Sequence, residues 1–497
     1  MPNEDLREWI AKVHDRGELR VVRGAHWDME MSAISEVVSR DKSTPRWSVL
    51  FDEIVGYPKG YRVLTDTVVT LPRLAMTMDM DPEIARADFP HVLRARLSAM
   101  KMLAPRTIAD GPVTENCVEG NDIDMFRFPA PKWHTGDGGR YIGSGSVTIT
   151  QDPESDWVNL GTYRVMIHDE QTLSFQISPS RHGAAHRDKL YRRGEPIKVA
   201  ISFGHDPLLT VAGSTPLPHG VGEYDWCGGI RGEPIDVSEG PHSGLPIPAT
   251  AEIVIEGLSY PDDLRAEGPY GEWHGYYAGQ NLTCPVIKVT NVMYRTDPIM
   301  LGIPLLRPSI APLEFPSLLR EAVVLEQLEK AGVSGVKAIH FHEAAGGIMF
   351  TIVAVEQRYA GHSRHVARIL TSSSGNAYMG RYTVIVDDDI DVYDMDEVIW
   401  ALGTRSDPQN AIEILTHCLT GPLDPAIKPD ENGRKVFNTR AIIDACRPWD
   451  WRDKFPVAVE TPKELVEDVR RRFSDQLAAV PEDPFPATGK TADAAAE

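Results

Sequence analysis

The stretch AEGPYGEWHGYY, Ala266 to Tyr277, sets two carboxylates, Glu267 and Glu272, five residues apart around Gly268, Pro269 and Gly271. That spacing does not put two side chains on one helical face, and a proline between glycines ends a helix, so the chain bends here. Carboxylates crowded by a bend repel, and one is held protonated unless a cation separates them, which is the situation of a general acid. The plain alternative is a solvated surface turn. Upstream, WVNLGTYR carries Asn159 and Arg164 in one strand-like run. Their odd spacing sends them to opposite faces unless a bulge at Gly161 intervenes. His182 in SPSRHG and Glu223 in GVGEYDW add an imidazole and a carboxylate, both expected on loops or strand ends. With the side-chain carbonyl of Asn159 they make a donor set suited to Mn²⁺ or a similar divalent ion. Taken singly, His182 is more simply a structural or exposed histidine.

These segments lie in a chain of 497 residues with 51 basic and 72 acidic side chains and a net charge of −21. The length calls for two or three domains. The acidic balance argues against nucleic acid and against an anionic membrane as partner. Five widely spaced cysteines without a C-x-x-C pair indicate reduced thiols rather than a zinc knuckle or a disulfide framework. The N-terminus is charged and helical, without the apolar stretch of a signal peptide, and no run of about 18 apolar residues occurs. A cytoplasmic protein is expected.

The elements that must position the site divide the chain by character. Residues 1–110 read as a small α/β unit, with helices from Leu6 up to Gly17, near 28–40 and over 89–103, and strands in SVLFDEI and YRVLTDTVV. From 111 to 312, GSVTITQ, WVNLGTYRVMI, TLSFQIS, IKVAISFG, AEIVIEG and VIKVTNVMY are strands parted by turn residues, as in an antiparallel barrel or sandwich. A helix over 313–332, with proline in its first turn and Gly332 at its end, links this region to an α+β module at 333–460. Residues 461–497 hold a charged helix over 462–480 and a tail low in apolar side chains other than alanine, expected to be disordered. The fold class is α+β. There is no internal repeat, no G-x-G-x-x-G after a strand, no G-x-S-x-G, no Walker loop and no H-E-x-x-H.

In order and spacing, NLGTYR, RHG, GSTPLP, GEYDWCGGIRGEP, PATAEIVIEG and EGPYGEWHGYY resemble the UbiD family of prenylated-FMN-dependent decarboxylases. The resemblance extends through VDDDIDVYDMDEVIWALGTRSDP and RAIIDACRPWDWRDKFP. It implies a split β-barrel that binds the flavin, a linker helix and a C-terminal dimerisation lobe. It also implies metal ligands at Asn159, His182 and Glu223, with the ion bridging to the cofactor phosphate and K⁺ nearby. The family's catalytic Glu-Arg-Glu network falls on Glu267, Arg164 and Glu272. Thr162, Tyr163, Arg164, Arg181, Ser214 and Pro216 match segments that hold the flavin. Where many members carry a lysine that reaches the phosphate, this chain has Arg440 in NTRAIID.

The activity so implied is reversible, redox-neutral decarboxylation. The substrate is expected to be a hydroxybenzoate or a pyrrole-, furan- or indole-carboxylate, with CO₂ as co-product. A flavin prenyltransferase would supply the cofactor, and the protein would be a homodimer or larger. Asp444, after Arg440, is a candidate pocket residue. Rival readings are a decarboxylase of acrylic or cinnamic acids, a conventional FMN oxidoreductase, a metal-assisted hydrolase and a flavin-binding protein without catalysis. The oxidoreductase needs a hydride-donor site, and none is evident; the hydrolase leaves the Arg164 network without a purpose, and the intact Glu267–Arg164–Glu272 set argues against a protein without catalysis.

Overall fold

A computed structural model describes residues 5–41, 43, 46–278, 282–308, 314–431, 433–459 and 461–474. The chain divides into a large unit, Met1–Trp449, and a small one, Asp450–Glu497.

The large unit opens with the helix Leu6–Asp15. Asp5 caps its first turn by accepting from the Glu8 amide at 2.9 Å, and Leu6, Trp9 and Val13 bury one face. A four-stranded sheet follows, in the order Leu19–Arg23, Ser48–Asp52, Arg62–Thr65 and Ile299–Leu301. Its last strand comes from far down the chain and runs parallel to Arg62–Thr65. The sequence had placed that segment in the middle domain, because a three-residue apolar run says nothing about which distant strand it pairs with.

The central sheet has nine strands. Its path runs Tyr141–Gly143, Val165–Asp169, Thr172–Ser174, Leu282–Tyr294, Ile253–Glu267, Ile197–Phe203, Val147–Gln151 and Val158–Gly161, with Asn116–Glu119 pairing off Leu282–Tyr294. One end of this path, Val158–Gly161, is joined to the strand next to the other end, Val165–Asp169, by residues 162–164 alone. Three residues span only about 10 Å, so the sheet must curl until its ends nearly meet. Residues 162–164 then cross the remaining gap outside either strand.

The two longest strands, Ile253–Glu267 and Leu282–Tyr294, form an antiparallel hairpin in which Glu267 faces Leu282, and the loop beyond Glu267 carries Glu272. Three short helices, His182–Tyr191, Pro207–Ser214 and Glu223–Arg231, pack on the curled sheet.

The helix Glu314–Lys330 leads to the C-terminal part and lies along Phe89–Ala99, where Arg86 grips Glu321 at 2.9 and 2.7 Å and Arg94 meets Glu329 at 2.6 Å. Beyond it stands a five-stranded sheet in the order Val336–Phe341, Phe350–Val355, Tyr382–Asp387, Phe437–Ala445 and Ile412–Leu419. The helices His362–Ser372 and Met395–Arg405 belong to this part. The small unit contains the helix Lys463–Arg472, and the tail beyond residue 474 lies outside the described residues. No described helix is long and apolar enough to cross a membrane.

Candidate active site

The gap crossed by residues 162–164 faces the hairpin loop, and this brings the three charged residues together. Arg164 donates from Nε and Nη2 to the two oxygens of Glu267 at 3.0 and 2.8 Å, and from Nη1 to Glu272 Oε1 at 2.6 Å. The flat guanidinium thus binds one carboxylate with its forked side and reaches the second with its remaining arm. Tyr141 Oη donates to Glu267 Oε1 at 3.0 Å, so Glu267 accepts three hydrogen bonds. Glu272 accepts one, from Arg164, and its second oxygen has no partner among the described residues. Burial pushes the Glu272 carboxyl up; Arg164 opposes the shift and the charge of Glu267 adds to it. Burial pulls the Arg164 guanidinium down, but the bonds and charge of the two glutamates more than reverse this.

The turn is braced on both sides. Gly268 has φ of +85°, a region that favours glycine. A side chain at Gly138 would fall 2.0 Å from the Gly268 carbonyl oxygen, so only glycine permits this approach. Asp137 accepts from the Tyr277 hydroxyl at 3.2 Å and from the Gly271 amide at 3.4 Å. Tyr270 packs on Tyr141 with ring centroids 4.3 Å apart, and the Arg164 guanidinium lies 5.4 Å from the Tyr270 ring. Trp273, the residue after Glu272, packs against Gly346 of the C-terminal part, where a Cβ would meet the indole.

Asn159, His182 and Glu223 line one cavity of about 80 Å³, together with Tyr163, Arg181, Pro216 and backbone of the adjoining segments. Asn159 ends there because it lies on the edge strand. His182 and Glu223 are the first residues of two helices rather than loop residues as expected. The helix from His182 escaped sequence reading because HGAAHRDKLY has no apolar stripe. At the gap, a Cβ at Gly161 would strike the Tyr163 ring, so glycine lets the chain leave the strand and point Tyr163 into the cavity.

Burial shifts both titratable donors toward their neutral forms, which suits the imidazole for a divalent ion and leaves the carboxylate short of a cation. Burial pulls the His182 imidazole down, with His219 and Arg181 adding to the shift, which favours the neutral ring. Trp157 packs against this imidazole with centroids 4.9 Å apart. Burial pushes Glu223 up to about 7, against the hydrogen bond that it accepts from the Leu160 amide at 2.7 Å. A buried carboxylate so raised lacks a cation, and an ion between Asn159, His182 and Glu223 fits that lack. A second cluster, His340, His342 and Glu343, has ligand atoms within 4.8 Å of one another. Arg86 approaches His340 Nδ1 at 3.4 Å, and the charge of Arg46 reaches Glu343, so cations already occupy that neighbourhood.

Four other residues singled out by the sequence make contacts within the protein. The Ser214 hydroxyl turns back on its own helix, donating to the carbonyls of Thr210 at 2.6 Å and Val211 at 3.2 Å. Thr162 is tied to the Gly213 carbonyl through its amide at 3.2 Å. Arg440 does not reach the cavity. It is buried, and its two terminal nitrogens donate to the carbonyls of Thr371, Asn376, Ala377 and Leu419, while its Nε has no partner among the described residues. Asp444 is likewise engaged, accepting from Ser363 Oγ at 2.6 Å and from the Cys446 amide at 3.2 Å. Tyr141 and Asp137 were not foreseen, and nothing in their local sequence marks them.

Three segments of the chain match the 3-octaprenyl-4-hydroxybenzoate carboxy-lyase (UbiD) family: its N-terminal domain over residues 10–87, its Rift-related domain over 106–308 and its C-terminal domain over 315–445. A phenolic acid decarboxylase of Sedimentibacter hydroxybenzoicus is 30% identical over 462 residues, which cover 90% of this chain and 92% of that protein. A pyrrole-2-carboxylic acid decarboxylase of Pseudomonas aeruginosa is 28% identical, with 95% and 98% covered. The structure of the UbiD-class enzyme HmfF from Pelotomaculum thermopropionicum in complex with FMN superposes with a TM-score of 0.82 at 26% identity, over 92% of this chain and 97% of that one. An evolved dimeric form of HmfF in complex with prFMN gives 0.79 at 25% identity, over 94% and 98%.

Proposed function

Because the chain belongs to the UbiD family of decarboxylases, we propose that it removes the carboxyl group of a mono- or bicyclic aromatic or heteroaromatic acid, without net oxidation, using prenylated FMN. The observation that carries this reading is Arg164 held between Glu267 and a buried, upshifted Glu272 with one free oxygen. Bound prenylated FMN supplies an electron sink for the pair released as CO₂ leaves. Asn159, His182 and Glu223 would hold a Mn²⁺-like ion, with K⁺ nearby, which would offset the charge of the cofactor phosphate in an otherwise acidic protein. Glu267 fixes Arg164, Arg164 fixes Glu272, and Glu272 delivers its proton to the ring carbon that lost the carboxyl group. Glu272 then regains a proton from solvent, and the same steps reversed carboxylate the ring.

The substrate reading is tested on holoenzyme produced with a flavin prenyltransferase and incubated in D₂O with cinnamic, hydroxybenzoic, pyrrole-, furan- and indole-carboxylic acids. Decarboxylation with deuterium at the vacated ring carbon is expected for one or more ring acids. Turnover confined to the cinnamic acids would overturn the ring-acid assignment.

Gly138→Ala tests whether the turn positions the acid. A methyl group there must push the Gly268 carbonyl away, at about 1–3 kcal/mol in stability. A displacement of about 1 Å at Glu272 costs on the order of a hundredfold in kcat. Unchanged kcat in a folded variant would separate the turn from catalysis.

A homo-oligomer is part of this reading. The strand Ile412–Leu419 is the outer strand of its sheet, and Ile412, Ile414, Leu419 and the neighbouring Phe437 are exposed. An apolar open edge of this kind suits pairing with a second copy. Light scattering at micromolar concentration is expected to give a dimer or larger species, which Ile414→Lys shifts toward monomer. A monomeric wild type would refute this part of the reading.

A further inference from the structure

Tyr141 opens the edge strand Tyr141–Gly143 and pairs with Met166, two residues beyond Arg164 in the chain. Its side chain is fully buried and packed on the Tyr270 ring, and its hydroxyl lies within reach of two acceptors, Glu267 Oε1 at 3.0 Å and the Pro269 carbonyl at 3.2 Å. A hydroxyl has one proton to give. The Pro269 carbonyl already accepts from the Gly138 amide at 2.9 Å, whereas Glu267 is a buried carboxylate, the acceptor that gains more from a donor. Burial pushes the Tyr141 phenol up and the charge of Glu267 adds to the shift, with Arg164 opposing, so the hydroxyl keeps its proton and stays a donor.

Glu267 and Glu272 share one guanidinium, and two carboxylates so placed compete for a single proton. Only one outcome serves catalysis. Glu267 has both oxygens covered, Oε1 by Arg164 Nε and Tyr141 and Oε2 by Arg164 Nη2, while Glu272 keeps one oxygen without a partner among the described residues. His168 and Cys284 feel the charge of Glu267, and Tyr270 and Tyr378 feel that of Glu272; burial pulls the imidazole down and pushes the thiol and both phenols up, so all four stay neutral near pH 7. Asp137, whose charge reaches Tyr270, accepts from the Gly271 amide and the Tyr277 hydroxyl. Arg164 bonds both glutamates, but Tyr141 bonds only one.

We propose that Tyr141 is a positioning residue that keeps the shared proton on Glu272: by donating to Glu267 it holds that carboxylate ionised, which leaves the proton on the glutamate with the open oxygen. The inference rests on Glu272 as the proton donor proposed above. Without the hydroxyl, the proton divides between the two carboxylates. A proton on Glu267 leaves Glu272 ionised against Arg164, with nothing to deliver to the ring carbon.

The test is Tyr141→Phe in holoenzyme carrying prenylated FMN, with kcat per bound flavin followed over pH. Phenylalanine keeps the packing on Tyr270 and removes only the donor. Loss of a hydrogen bond to a charged group raises the proton affinity of Glu267 about tenfold to a hundredfold. The plateau rate below the limb should then fall at least about threefold, because only the fraction protonated on Glu272 is active. The limb itself should move to higher pH, because the pair as a whole holds its proton more firmly. A lower plateau with the limb unmoved or lowered would make Tyr141 merely structural and overturn the proposal. An unchanged plateau would show that Arg164 alone places the proton, and would overturn it as well. The underlying reading fails separately, if Glu272→Gln stays within tenfold of wild type.

Discussion

Glu272→Gln is expected to lower kcat by on the order of a thousandfold or more while leaving fold, metal content and flavin content unchanged. The amide keeps the size of the side chain and offers a carbonyl oxygen to Arg164 Nη1, which now reaches Glu272 at 2.6 Å. It has no proton to give. The same assignment fixes the sign of the pH dependence. Burial raises the Glu272 carboxyl, so the acid form persists above the ordinary carboxylate range, and decarboxylation slows as pH rises through the raised value. The Gln variant's residual rate should lack this limb. Steady-state kinetics over pH, with deuterium incorporation as a second readout, decide the matter; a variant within tenfold of wild type would exclude Glu272 as the proton donor.

His182→Ala is expected to lose metal and flavin together. The ring is one of three donors around a small cavity, and burial raises Glu223 beside it to about 7. Removing a ligand weakens metal binding by at least about a hundredfold, and without the ion the flavin phosphate meets a carboxylate with nothing between them. Elemental analysis and flavin absorbance of the purified variant should fall in parallel. Wild-type metal uptake should also release protons, and it should weaken as pH falls below about 7, because protonated Glu223 competes with the ion. Full flavin occupancy with full metal content in His182→Ala would disprove the assignment.

The parts legible in the sequence were those set by local pattern or by side-chain type. Alternating apolar residues marked IKVAISFG and AEIVIEG as strands, and both are in the central sheet. The carboxylates of EGPYGEWHGYY announced a bend with charge to balance, and Arg164 meets both. What escaped was long-range. Residues 162–164 leave their strand because the sheet's ends converge, which no window around Gly161 can reveal. Tyr141 is an ordinary strand tyrosine until the hairpin brings Glu267 to its hydroxyl. Arg440 resembled a phosphate ligand by position in the chain, and nothing local announced that its terminal nitrogens donate to the carbonyls of Thr371, Asn376, Ala377 and Leu419.

The pairing of Ile299–Leu301 with Arg62–Thr65 bears on how the protein is made. On the ribosome, the first three strands of the N-terminal sheet emerge long before the fourth. At about 5–20 residues per second, the edge at Arg62–Thr65 waits roughly ten to fifty seconds for its neighbour. During that interval Val63 and Leu64, both fully buried in the finished protein, have an open flank beside them. The nascent chain is therefore most exposed to misassociation early in synthesis, although its chemistry is encoded in the middle. A gene cut near residue 110 would leave that edge open permanently, and the separated N-terminal piece should bind holdase chaperones or aggregate where the whole chain does not.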